Sequence, residues 1–105
     1  MEKRYSQMTK EELRSEIAEL TVKAQKAEQM GIVNEYAVHE RKIAMAKAYM
    51  MDPSQFEPGA TYEMIDGNGD IFTITYMNGV FAWGNRNNTG KEEAVPISLL
   101  GSQKN

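Results

Sequence analysis

The sharpest pattern along the chain is the alternation over residues 71–84, two β-rich runs flanking Asn78-Gly79. Asn-Gly in that setting is a strong hairpin signal, because a two-residue type I′ turn needs positive φ at both central positions. With Asn78 and Gly79 as the turn, Met77 faces Val80, Tyr76 faces Phe81, Thr75 faces Ala82 and Ile74 faces Trp83. Side chains alternate between the faces of a strand. This register sends Phe72, Ile74, Tyr76, Phe81 and Trp83 to one face. Ile71, Thr73, Thr75, Met77, Val80, Ala82 and Gly84 take the other. The first face is expected to be core, each large side chain being worth roughly 1.5–3 kcal/mol on full burial. A slip of one residue would exchange the two faces of a strand.

Upstream the period changes from two to between three and four. Thr9 followed by Glu12 reads as a capping box. Leu13, Ile17, Leu20, Ala24 and Ala27 then form one narrow apolar stripe. Glu19 and Lys23 are spaced as a favourable pair on the wet side, and Gly31 marks the stop of this first helix, after about Met30. Asn34 is the expected cap of a second helix from about Glu35 to Met51, with a start as early as Ile32 as the alternative. That helix has apolar residues on two sides. Ile32, Tyr36, Ile43 and Met50 join Ala37, Ala44, Ala48 and Met51 in a wide arc, whereas Val38, Met45 and Tyr49 form a separate stripe. Two apolar sides imply two partners. They are either the first helix and the sheet, or one of these and a partner surface made of Val38, Met45 and Tyr49. A short connection implies antiparallel packing of the helices. Pro53 stops the second helix.

Residues 52–60 are a connector rich in turn formers, and strands are expected at 61–65, 71–77, 80–85 and 93–97. Pro96 confines the last of these to an edge or a bulge. A turn or short strand is expected at 98–100, and residues 101–105 are expected to fray. The pattern therefore predicts an α+β chain: an N-terminal antiparallel helical hairpin over residues 1–52 and a small antiparallel sheet over 53–105, together one compact unit.

Composition narrows the chemistry. With no cysteine among 105 residues, disulfides and thiolate metal sites are excluded. No apolar run approaches the ~20 residues of a membrane span. The opening Met-Glu-Lys-Arg-Tyr is followed by no apolar region, so no signal peptide is expected and cytoplasmic residence is the default expectation. Residues 1–50 hold nine Lys/Arg against eight Asp/Glu, and residues 51–105 hold three against seven. Phosphate neutralisation drives nucleic-acid affinity, so a nucleic-acid role would use the helical half, through Lys23, Lys26, Arg41 and Lys42.

Several segments together resemble a known family. They are the opening residues 1–9 (Met-Glu-Lys-Arg-Tyr-Ser-Gln-Met-Thr), Lys26-Ala27-Glu28-Gln29, Glu40-Arg41-Lys42-Ile43, Met45-Ala46-Lys47-Ala48-Tyr49 and Asn78-Gly79-Val80-Phe81-Ala82-Trp83-Gly84. They are similar to the YfhH family of short uncharacterised proteins from Bacillus-type bacteria. The resemblance covers nearly the whole chain. It implies an SH3-like β-barrel carrying the helical hairpin, so that residues 53–105 would form the barrel. It also carries the suggestion of a transcriptional regulator, but no agreed functional residues.

Candidate chemistry is sparse. Asp66-Gly67-Asn68-Gly69-Asp70 starts like a calcium loop, but Ile71 and Met77 stand where such a loop needs Gly and a bidentate Glu. A hairpin turn is the expected reading. His39 is the single histidine, and no nucleophile motif accompanies it. No catalytic residue, metal site or cofactor is assigned, and an enzyme is not expected. Glu40, Lys47 and Arg41 near the wide arc read either as snorkelling stems or as a charged contact. Tyr62 and Tyr76 are the aromatics expected to keep a wet tip, while Trp83 is expected in the core, with an aromatic recognition groove as the alternative. The functional expectation is an interaction module that binds a protein partner or itself. Nucleic-acid association is the alternative, and no membrane is expected.

Overall fold

The structure is a computed structural model that describes residues 3–65 and 68–104. It divides into two compact units, Met1–Met50 and Met51–Asn105.

The first unit is the helical hairpin. A 3₁₀ turn at Tyr5–Gln7 precedes helix α1 (Lys10–Gln29), and helix α2 spans Val33–Ala48. The capping box forms as the sequence predicts. The Glu12 amide donates to Thr9 Oγ1 at 3.1 Å, and the Thr9 amide donates to Glu12 Oε1 at 3.0 Å. At the far end, Gly31 (φ 72°) allows the reversal. The Ile32 amide donates to the Ala27 carbonyl and the Gly31 amide to the Glu28 carbonyl. This is the double bond of a Schellman motif, which satisfies carbonyls that the helix end would leave orphaned. Ile32 itself becomes the cap of α2, without a side-chain hydrogen bond. The expected Asn34 cap is therefore displaced into the first turn, because the reversal already fixes the backbone there. α2 also ends at Ala48, short of the expected Met51. Leu20, Ala24 and Ile43 form the buried seam between the helices, with Ile17 and Tyr36 packed against it.

The second unit is a five-stranded sheet in the order β4-β3-β2-β1-β5. Its strands are β1 (Thr61–Met64), β2 (Ile71–Asn78), β3 (Phe81–Arg86), β4 (Glu92–Pro96) and β5 (Leu100–Lys104). Every pairing is antiparallel. The chain is thus α+β, but the sheet is open: β4 and β5 are its two edges and do not pair with each other. The closed barrel implied by the resemblance is not what the ladder shows. Pro96 sits on edge strand β4, where a missing donor costs nothing. The short strand allowed for at 98–100 begins at Leu100, and residues 101–104, expected to fray, extend it as β5 on the free side of β1.

The organising hairpin forms one residue out of the expected register. Asn78 pairs with Phe81, so the turn residues are Gly79 and Val80. Gly79 has φ 60°, while neither Asn78 nor Val80 has a positive φ. That suits a type II′ turn, which asks only its first central residue to be left-handed. Between Ile74 and Tyr76 the ladder also shifts, with Thr75 as the extra residue of a bulge. The two departures split the expected core face. Phe72 and Ile74 are buried together with Val80, Ala82 and Gly84, which the simple register puts on the other face. Tyr76 and Trp83 pair on the opposite face, Tyr76 is exposed, and Phe81 and Trp83 are only half-buried. Tyr62, expected to be wet, is buried. Its hydroxyl accepts from the Glu57 amide at 3.0 Å, and its ring tilts against Phe56 at 5.4 Å.

Candidate interaction surfaces of the helical hairpin

The reversal between the helices leaves apolar side chains in water. Met30 is 71% exposed and Val33 75%, with Ile32 and Val38 also open to solvent. The cause is local. Ile32 occupies the position after the left-handed glycine, where a side chain turns back toward Ala27. Met30 and Val33 flank that reversal and have no neighbouring turn to cover them. A concavity of about 110 Å³ lies here, lined by Ala27, Glu28, Gly31, Ile32, Val33 and Tyr36. A second, of about 330 Å³, is lined by Asn34, Glu35, Val38 and His39. The Tyr36 hydroxyl is held above its ordinary pKa, first by the nearby Glu40 carboxylate, then by desolvation and Glu28.

A larger open groove of about 710 Å³ runs along the same unit. The segment before α1 makes one wall, and that wall is tied down. Lys3 Nζ meets the Glu12 carboxylate at 2.9 Å, and the Tyr5 hydroxyl donates to Glu16 Oε2 at 3.1 Å. The Glu12 carboxyl is held below its ordinary pKa, chiefly by the Thr9 amide and then by the Lys3 ammonium. α1 contributes Glu12, Glu16, Glu19, Leu20 and Lys23, and α2 contributes His39, Lys42 and Met45. The Nδ1 atom of His39 is buried and has no hydrogen-bond partner.

The chain that carries these features has known relatives. Residues 3–101 match the family model described as protein of unknown function (DUF1811). The chain belongs to that family. It is also 60% identical over 101 residues to the uncharacterized protein YfhH of Bacillus subtilis (strain 168), covering 95% of this chain and 96% of that protein. The resemblance carried by the sequence motifs is thus one of family membership.

In this DUF1811 chain the expected partner surface does not gather at one place. Val38 is exposed and lines the concavity of about 330 Å³ with Asn34 and Glu35, whereas Met45 and Tyr49 are half-buried and Met45 lines the large groove. Of the expected basic patch, Lys23 and Lys42 share the groove, while Lys26 and Arg41 are exposed but do not line it. Glu40, Arg41 and Lys47 are all exposed, in keeping with stems that reach water. Sequence reasoning passed over Met30 and Val33 and placed Ile32 in a packing arc. The available signal was three apolar residues crowded around Gly31, in a connection too short to fold back over them. It also missed Arg4, which enters the groove from the segment before α1.

In the sheet unit the polar side chains around Asp70 satisfy one another, while the buried Oδ1 of Asn85 has no hydrogen-bond partner. Arg86 bridges Asp70 at 3.5 Å and Glu93 at 3.3 Å. Asn87 donates to Asp70 at 2.9 Å and accepts from the Ile71 amide at 2.9 Å. Asp66 and Gly67 of the calcium-like stretch lie outside the described residues. Its Asp70 serves this clamp.

Proposed function

We propose that this chain is a non-catalytic interaction module that docks a protein partner, or a second copy of itself, on the tip of its helical hairpin. The observation that carries this reading is the exposure of Met30, Ile32 and Val33, adjacent in the chain around Gly31 at the reversal, with Val38 exposed farther along α2. Apolar groups gathered at one exposed place mark interaction sites far more often than scattered ones do. The strand order, a meander with β5 returned beside β1, supports an SH3-like ancestry for the sheet unit. Nucleic-acid association has less support, since Glu12, Glu16 and Glu19 stand in the same groove as Lys23 and Lys42. Cytoplasmic residence remains part of the proposal, and no helix among the described residues is long and apolar enough to cross a membrane.

The test is light scattering after size exclusion, together with affinity capture, each repeated with the Met30→Glu/Val33→Asp double variant. The reading expects association or capture that the variant loses while its helicity stays unchanged. A monomer that captures nothing the variant does not also capture would overturn it.

A further inference from the structure

The large groove holds a charge asymmetry that the tip does not share. Two of its three carboxylates are engaged: Glu12 by Lys3 and the Thr9 amide, Glu16 by the Tyr5 hydroxyl. Among the described residues, Lys3 is the only groove cation so engaged. Arg4, Lys23 and Lys42 have no side-chain partner among the described residues, and the Glu19–Lys23 pair that the helix spacing predicts does not form. Among the described residues, the uncompensated charge is therefore three cations against one carboxylate, Glu19. Beside them stands the unpartnered Nδ1 of His39. The remaining lining is apolar: Tyr5, Met8, Met45 and, buried at the floor, Leu20. At about 710 Å³ the groove is of the size that takes a small organic ligand.

We infer that the groove between the segment before α1 and the two helices binds a small amphipathic anion. Its phosphate or carboxylate group meets Lys23, Lys42 and Arg4, and its apolar body lies on Leu20, Met8 and Met45. The charge-assisted contacts give orientation, and the apolar floor gives affinity by area removed from water. A strand of nucleic acid fits less well, because a long polyanion would have to pass the Glu19 carboxylate, and Lys26 and Arg41 lie off the path. The site is separate from the apolar tip, so either stands if the other fails.

The probe is naphthyl phosphate, titrated into the full chain and followed by backbone amide NMR, with inorganic phosphate and naphthol as comparison arms. Saturable shifts are expected at Lys23, His39, Lys42 and Met45 and not at Met30 or Val33. Each comparison compound should bind about tenfold more weakly or less, since each lacks one half of the interaction. The Lys23→Glu/Lys42→Glu variant should lose binding about tenfold or more, and Lys23→Gln/Lys42→Gln should show a smaller loss. Both lysines are exposed, and unchanged circular dichroism confirms the fold. Absence of saturation, shifts centred on the tip, equal binding of naphthol, or charge reversal without effect would each overturn the inference.

Discussion

Tyr76 stacks on Trp83, with ring centroids 5.7 Å apart and planes within 5° of parallel. The two rings stand directly opposite each other because the turn moves one residue along and Thr75 is extruded from the ladder. Simple pairing across Asn78-Gly79 would set Tyr76 against Phe81 and bury both.

This face assignment has a direct test. Phe72 is fully buried, and Phe72→Ala should cost about 3–5 kcal/mol by lost transfer and the cavity left behind. Tyr76 is 43% exposed, and Tyr76→Ala should cost only about 1–2 kcal/mol, mostly the lost stack. Urea midpoints of the two variants check the order. A reversed order would restore the expected faces.

Two glycines of the hairpin should fail for different reasons. A methyl at Gly84 would collide with the backbone carbonyl oxygen of Thr73 on the paired strand, which cannot move without breaking the ladder. Gly84→Ala should cost about 3 kcal/mol or more. A methyl at Gly79 meets nothing within 4 Å, and only its positive φ is strained. Gly79→Ala should cost about 1–2 kcal/mol. The same denaturation series separates them.

Between the helices the seam is close. Ala24 is 3% exposed beside Leu20 and Ile43, and Ala24→Leu should overpack it at a cost of about 1–3 kcal/mol. Val22→Leu, on the exposed side of α1, should change stability by less than about 0.5 kcal/mol. Thermal melts followed by circular dichroism give the comparison.

The start of α1 should weaken in acid. The folded pKa of Glu12 lies below its ordinary value, so the unfolded chain takes up the proton first as pH falls. The stabilisation is complete above the ordinary carboxylate range and is lost as pH drops through the depressed folded pKa. Glu12→Gln should therefore be less stable than the native chain at neutral pH, and the two should converge in strong acid. Hairpin melts across that interval check it. A difference independent of pH would remove the carboxylate from the account.

The sequence disclosed those features that rest on local chemistry. The Thr9–Glu12 box, the stop at Gly31, the apolar stripe of α1 and the edge position of Pro96 each follow from a few neighbouring residues. The features that stayed hidden are decided by pairing at a distance. Asn78-Gly79 and Gly79-Val80 are both acceptable turns by local rules, and the choice falls to which strand face can bury Ile74 opposite the small Gly84. The bulge at Thr75 has no sequence mark. β5 is polar apart from Leu100 and reads as a tail, because its order comes from the backbone of β1 rather than from its own side chains. At the hairpin tip the side chains were visible but their exposure was not, since apolar periodicity does not say where a helix reversal leaves its flanks.

The pairing of Thr61 with Lys104 has a consequence for biosynthesis. As the nascent chain leaves the ribosome, the meander from β1 to β4 can assemble from contacts near in sequence. Meanwhile β1 offers its other row of amides and carbonyls to any passing strand. That side is closed only when β5 docks, so a chain whose β1–β4 meander has formed before β5 pairs is a sticky, sheet-competent intermediate, and a chaperone would find its target on β1.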